Sequence, residues 1–297
     1  MFEGFETTRL PGADGVEIHL RYAGNGPPVL LLHGYPQTHA CWHKVAPKLV
    51  AAGYTVICPD LRGYGDSAKP VSSADHATYA KRAMAADQVA VMQTLGHDRF
   101  HLVGHDRGGR VAHRLALDHA QVVQSVTVLD IAPTETMYAR TDRRFATGYY
   151  HWFFLIQPAP LPERMIGADP EFYLREKISA WNRTGFEVFS EPALAEYIRC
   201  FSDPACIAAT CEDYRAAASI DLDHDAEDGD AKISAPLCAL WGAKGLVGQS
   251  YDVLETWRAK ARDVQGAGLP CGHFLPEECP EETAEALLAH FGQAGAP

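Results

Sequence analysis

The sequence predicts an α/β protein: a mostly parallel sheet flanked by helices, with a helical cap inserted into it. Three observations carry this. Five short runs, residues 29–32, 55–58, 100–103, 125–129 and 237–241, are almost wholly apolar, as strands buried on both faces are. Longer amphipathic segments separate most of them, so strand and helix alternate and the crossovers that parallel strands need are present. From Asp130 to Leu237 the pattern changes: aromatics such as Tyr149, Trp152 and Trp181 accumulate and no buried strand is evident. We therefore expect a core domain over residues 1–134 and 226–297 and a helical cap domain over 135–225. Most of the cap's aromatics should pack its own interior. The loop Gln157-Pro158-Ala159-Pro160-Leu161-Pro162 should break it.

The bulk properties narrow the partners. The chain has 297 residues, 47% hydrophobic and 22% charged, with a net charge of -12. Such an acidic chain disfavours nucleic acid and anionic membrane surfaces. Any anion must be held by local basic residues. The 14 histidines mostly lack metal-ligand spacing, so no metal or other cofactor is expected. The first residues, Met1-Phe2-Glu3-Gly4-Phe5-Glu6, do not read as a signal peptide, and no apolar run approaches the ~20 residues of a membrane span. A cytoplasmic protein is expected, with its eight cysteines reduced.

Taken in order, the runs end in polar groups. The first ends at His33-Gly34, the second at Pro59-Asp60, the fourth at Asp130 and the fifth at Gly242. In parallel sheets, ligands sit beyond these carboxyl ends. The third run enters Gly104-His105-Asp106-Arg107-Gly108-Gly109-Arg110, and a helical pattern follows. Strand, tight turn and helix resemble the nucleophile elbow of the α/β-hydrolases, G-x-S-x-G, with Asp106 in place of serine. A carboxylate is suited to displacing a leaving group from saturated carbon, and the alkyl ester it forms can then be hydrolysed. The elbow thus points to dehalogenation or epoxide opening. The context matters, because His97-Asp98-Arg99 repeats the tripeptide of the elbow without the glycines after it, and should be an exposed loop.

Asp106 needs helpers. His273, in the late turn Cys271-Gly272-His273-Phe274, stands where this fold places its base, last in chain order. The segment 242–248 after the fifth run contains no acid, so Asp130 is the expected partner of His273, holding its tautomer and stabilising its protonated form. The N–H groups of Tyr35 and Arg107 should form an oxyanion hole. Arg107 and Arg110, beside the proposed nucleophile in an acidic chain, indicate a small anionic substrate gripped by its carboxylate, because guanidinium and carboxylate match bidentately. Reaction at the carbon beside that carboxylate points to a 2-halo acid.

Over nearly its full length the chain resembles the fluoroacetate (haloacetate) dehalogenases of the α/β-hydrolase superfamily. The resemblance rests on HGYPQTHACWHKVAPKL, GHDRGGRVAHRLALD, VLDIAPT, YHWFFLIQPAPLPE, CEDYRA and DVQGAGLPCGHFLPEE. It implies Asp106 as nucleophile, His273 as base and Asp130 as its partner, with Arg107 and Arg110 on the substrate carboxylate. It further implies a halide pocket of His151, Trp152 and Tyr214, with His105 and Trp181 at active-site positions, and a homodimer. From the residues alone, His151 and Trp152 read as cap core, because adjacent helical side chains do not share a face. The expected reaction is hydrolysis of a 2-haloacetate, fluoroacetate included, through an aspartyl ester. The alternatives are a chloro- or bromoacetate dehalogenase without defluorination, or an epoxide hydrolase acting through cap tyrosines.

Overall fold

A computed structural model describes residues 1–294. Its strands are β1 (Glu6–Pro11), β2 (Glu17–Ala23), β3 (Pro28–Leu32), β4 (Thr55–Pro59), β5 (Phe100–His105), β6 (Val123–Leu129), β7 (Leu237–Gly242) and β8 (Val264–Leu269). They form one sheet in the order β1-β2-β4-β3-β5-β6-β7-β8. β1 and β2 run antiparallel to their neighbours, and every pair from β4 to β8 is parallel.

The five apolar runs are the inner strands β3 to β7. Val29, Leu30, Leu31 and Leu32 are fully buried, each worth roughly 1.5–3 kcal/mol relative to exposure. Three strands were not expected. β1 and β2 expose part of their length, and β8, Val-Gln-Gly-Ala-Gly-Leu, is largely solvent-facing with two glycines. An edge strand takes its register from its neighbour and needs no apolar run of its own.

Helices α1 (Ala46–Ala51), α2 (Lys81–Thr94) and α3 (Arg107–Asp118) connect the first strands. Residues 107–116 of α3 are all buried, so the helix that follows the elbow lies inside the molecule. Between β6 and β7 come eight α-helices and no named strand: α4 (Thr134–Ala139), α5 (Arg143–Gly148), α6 (His151–Phe154), α7 (Leu161–Gly167), α8 (Pro170–Trp181), α9 (Glu191–Phe201), α10 (Pro204–Ala217) and α11 (Ile220–Asp228). The last helices are α12 (Leu246–Ser250), α13 (Val253–Arg258), α14 (Leu275–Glu278) and α15 (Pro280–Ala294). Among the described residues no helix is long and apolar enough to cross a membrane. His97 is half-buried while Asp98 and Arg99 are exposed ahead of β5, so the repeated tripeptide does lie in a surface loop.

Candidate active site

Asp106 occupies the turn between β5 and α3 with φ 47° and ψ -111°, a conformation that L-residues avoid and that concentrates at functional sites. Two glycines let the turn close. A β-carbon on Gly104 would collide with the Gly108 carbonyl, and one on Gly108 with the His33 carbonyl. The turn presents the Asp106 side chain above the sheet, where Oδ1 accepts the Tyr35 N–H at 3.0 Å. Arg107, the source of the other expected N–H donor, opens α3 at the next position. Burial opposes ionisation of Asp106, but the positive charges of His273, Arg110 and Arg107 outweigh it and hold its pKa below the usual carboxylate range.

Three loops converge on this group. His273 Nε2 lies 3.9 Å from Asp106 Oδ2 and has no hydrogen-bond partner among the described residues. On the far side of the ring, His273 Nδ1 donates to Asp130 Oδ2 at 2.6 Å. Asp130 follows β6 with φ 51°, and its Oδ1 accepts the Gly242 N–H at 3.0 Å. The acid-free segment after β7 therefore contributes a backbone donor that orients an acid from β6. The His273 backbone is fastened as well: its N–H donates to the Trp181 carbonyl at 3.2 Å, and its own carbonyl accepts from His105 Nε2 at 2.8 Å. Burial lowers the His105 pKa to about 3, so that imidazole is neutral. Burial also pulls His273 down, but the hydrogen bond and charge of Asp130, then the charge of Asp106, prevail and leave its pKa above the ordinary imidazole value.

The three expected halide donors meet. His151 and Trp152 open α6, and the Tyr214 ring from α10 lies 5.4 Å from the first and 6.3 Å from the second. The two adjacent side chains diverge along α6, and Tyr214 contacts both. His151 Nδ1, Trp152 Nε1 and Tyr214 Oη are all buried without a hydrogen-bond partner among the described residues. Trp181 packs 4.5 Å from His151 and 5.5 Å from His273, and the Tyr35 ring stacks on His151. Every residue singled out from the sequence thus belongs to one buried cluster.

The arginines differ from each other. Arg107 already has a carboxylate: its Nε and Nη2 each donate to Asp213 at 2.8 Å, and only Nη1 is left without a partner. Arg110 has none. Its Nη1 donates to Ala132 O at 3.1 Å and Thr134 Oγ1 at 2.9 Å, Nη2 faces Met137 Sδ, and Nε is unpartnered. Its guanidinium lies 4.6 Å from the Trp152 ring centroid and that of Arg107 4.1 Å from the Tyr214 ring. Burial, then the repulsion of Arg107, lowers the Arg110 pKa. A buried cation without an anion is costly unless a ligand supplies one.

Sequence reasoning missed four participants. Asp213 carries Arg107, and it is itself shared with Lys81 and with Tyr64 Oη, which lies 2.6 Å away. The available signal was weak: Asp213 directly precedes Tyr214 in α10, but Glu212 and Arg215 stand beside it. Tyr149, named from the sequence only among the aromatics of the cap, places its hydroxyl 3.3 Å from His273 Nδ1. One other cluster, His19, His39 and Asp60, has metal-ligand side chains close together. Each Asp60 oxygen already receives two N–H donors there, from His39 on one side and from His19 and Asp66 on the other. That network is complete without a cation.

Comparison with known proteins gives the family of the chain. Residues 27–189 match the model of the alpha/beta hydrolase fold, and a fluoroacetate dehalogenase of Burkholderia sp is 47% identical over 99% of this chain and 96% of its own length. The chain belongs to the α/β-hydrolase family. This α/β-hydrolase is also similar to a soluble epoxide hydrolase of Corynebacterium sp. (strain C12), at 35% identity over 94% of each chain. Among solved structures, ALR0039 from Nostoc sp PCC 7120, provisionally named an alpha/beta hydrolase, superposes with a TM-score of 0.96 at 59% identity. That match covers 98% of this chain and 99% of the other.

Proposed function

We propose that this hydrolase cleaves the carbon–halogen bond of 2-haloacetates, fluoroacetate included, through an ester on Asp106. The observation that carries the reading is Arg110, a buried guanidinium without a carboxylate partner, beside an ionised Asp106 and three unpartnered donors. The similarity to a fluoroacetate dehalogenase supports the same substrate class. Arg110, with the free Nη1 of Arg107, grips the substrate carboxylate. Tyr35 engages Asp106 Oδ1, so Oδ2 attacks the halogen-bearing carbon in line. The carbon–halogen bond breaks, and the halide leaves towards His151, Trp152 and Tyr214. Burial keeps His151 neutral, so it offers one N–H, beside an indole N–H and a phenol O–H. His273, oriented by Asp130, takes a proton from water as that water attacks Asp106 Cγ. The oxyanion forms on Oδ1 against the Tyr35 and Arg107 N–H groups. On collapse His273 returns its proton to the departing Oδ2, which leaves as the hydroxyl of glycolate, and the re-formed Asp106 carboxyl loses the remaining proton to solvent. Residues 135–225 act as the cap that shuts out water and strengthens these charges.

Halide release from fluoroacetate and chloroacetate, followed in parallel with a fluoride electrode and a chloride assay, tests the reading. Release of both is expected. Chloride without fluoride would keep the nucleophile and the arginines but break the three-donor pocket. Release of neither, with hydrolysis of an epoxide, would move the assignment to epoxide opening, which the 35% identical relative and the free Tyr214 hydroxyl favour.

The pH dependence follows from His273. Its protonated form cannot accept a proton from water, so kcat should fall on acidification. The ester removes the Asp106 charge but keeps the Asp130 hydrogen bond and charge, the larger causes of the raised pKa, so the acid limb should not lie below the ordinary imidazole value of about 6.5. A kcat–pH profile still flat well below that value would remove His273 as the base.

A further inference from the structure

Most buried cations outside the chemistry above are paired with carboxylates, such as Arg62 with Asp87 and Arg114 with Asp225. Lys177 on α8 is only 3% exposed, yet among the described residues its ammonium makes neither a hydrogen bond nor an ion pair. It lies 3.4 Å from the centroid of the Tyr150 ring, with Tyr173 and Trp181 at 5.5 and 5.7 Å. Aromatic faces attract a cation but accept no ordinary hydrogen bonds from its three N–H groups. Lys177 lines a cavity of about 180 Å³ together with Arg183, Tyr149, Trp181 and His273. The guanidinium of Arg183 donates to the carbonyls of Ala180 and Asn182 at 2.6 and 2.8 Å, and to no carboxylate. The lining of this cavity contains no aspartate or glutamate, in a chain of net charge -12. His273, Tyr149 and Trp181 belong both to the cavity and to the cluster around Asp106.

We infer that Lys177 and Arg183 form an outer anion subsite, which receives the substrate carboxylate before Arg110 and Arg107 take it. The inference rests on the haloacetate reading for the identity of that anion. Low-dielectric walls carrying one sign of charge concentrate ions of the opposite sign. Without such a subsite, the acidic surface would repel a haloacetate from its own active centre. Lys177 is a binding residue on this account and takes no part in the bond changes at Asp106, so its loss should weaken capture more than chemistry.

The test compares wild type, Lys177→Met and Lys177→Arg on chloroacetate and fluoroacetate at low and high ionic strength. Methionine retains an unbranched apolar stem in the aromatic cage and removes the charge. At low salt, Lys177→Met should raise KM about tenfold and leave kcat within about twofold, and added salt should narrow the gap by screening the wild-type field. Lys177→Arg should restore KM. A KM for Lys177→Met equal to wild type at low salt would overturn the inference. So would a fall in kcat and Tm that Lys177→Arg does not rescue, which marks a packing role. If wild type itself turns over no haloacetate, the functional reading fails separately. The subsite is then judged by quenching of tryptophan fluorescence with chloroacetate and acetate: quenching lost in Lys177→Met sustains it, and equal quenching refutes it.

Discussion

Replacing His273 by asparagine should turn the protein into a covalent trap. The first half-reaction needs only Asp106, the arginines and the halide donors, all of which remain. The second needs the imidazole at Asp106 Oδ2, 3.9 Å away in the wild type. One equivalent of halide should appear in a burst and then stop. Intact-protein mass spectrometry should show a carboxymethyl group added to the chain, and fragmentation should place it on Asp106. Steady-state turnover should fall by about 10⁴ or more. Asparagine at Asp106 should abolish the burst as well, because an amide does not displace halide. Sustained turnover by either variant would rule out the aspartyl-ester route.

Exchanging Arg110 for methionine should separate activity from stability. The guanidinium is buried, is repelled by Arg107 and has no carboxylate of its own. Without substrate it is a cost the fold carries; with substrate it is the principal partner of the bound carboxylate. Loss of a buried charge-assisted contact of this kind typically costs about 2–5 kcal/mol, so kcat/KM should drop about 30-fold or more. The melting temperature should rise by a few degrees, since an apolar side chain of similar length replaces an uncompensated cation. Arg107 should behave differently. Removing it takes the Arg107 donors from buried Asp213 and leaves that carboxylate to Lys81 and Tyr64 alone, and both stability and activity should fall. A lower melting temperature for Arg110→Met, measured by scanning fluorimetry, would show that its contacts to Ala132, Thr134 and Met137 outweigh its desolvation.

The contrast between the two arginines also shows where the sequence stops being readable. The inner strands were legible because a strand buried on both faces must be apolar throughout, and residues 29–32 or 100–103 can be little else. β1, β2 and β8 were not, because partners elsewhere in the sheet set their pairing and their own residues half-face water. Asp106 was legible from its local setting, an apolar run before it and glycines after it, and His273 from its late Gly-His turn. Asp130 could be reached only because the segment after β7 offers no acid. His151 and Trp152 required the family resemblance, since adjacency on a helix argues against a shared target and the third member comes from α10. The pairing of Arg107 with Asp213 spans 106 residues. No local pattern announces such a contact, so two arginines that look alike in sequence turn out to be one anchored and one available.

The hydrogen bond from the Tyr35 N–H to Asp106 Oδ1 makes the two oxygens of a single carboxylate unequal. Under the proposed reaction, Oδ2 forms the bond to carbon and departs inside the glycolate. The oxygen of the hydrolytic water stays on Asp106 and becomes the attacking atom of the next cycle. As long as the backbone contact prevents the group from rotating, Oδ1 is never consumed. The hydroxyl oxygen of each product molecule then comes from the solvent of the preceding turnover, so the protein carries an isotopic record of the medium exactly one cycle old.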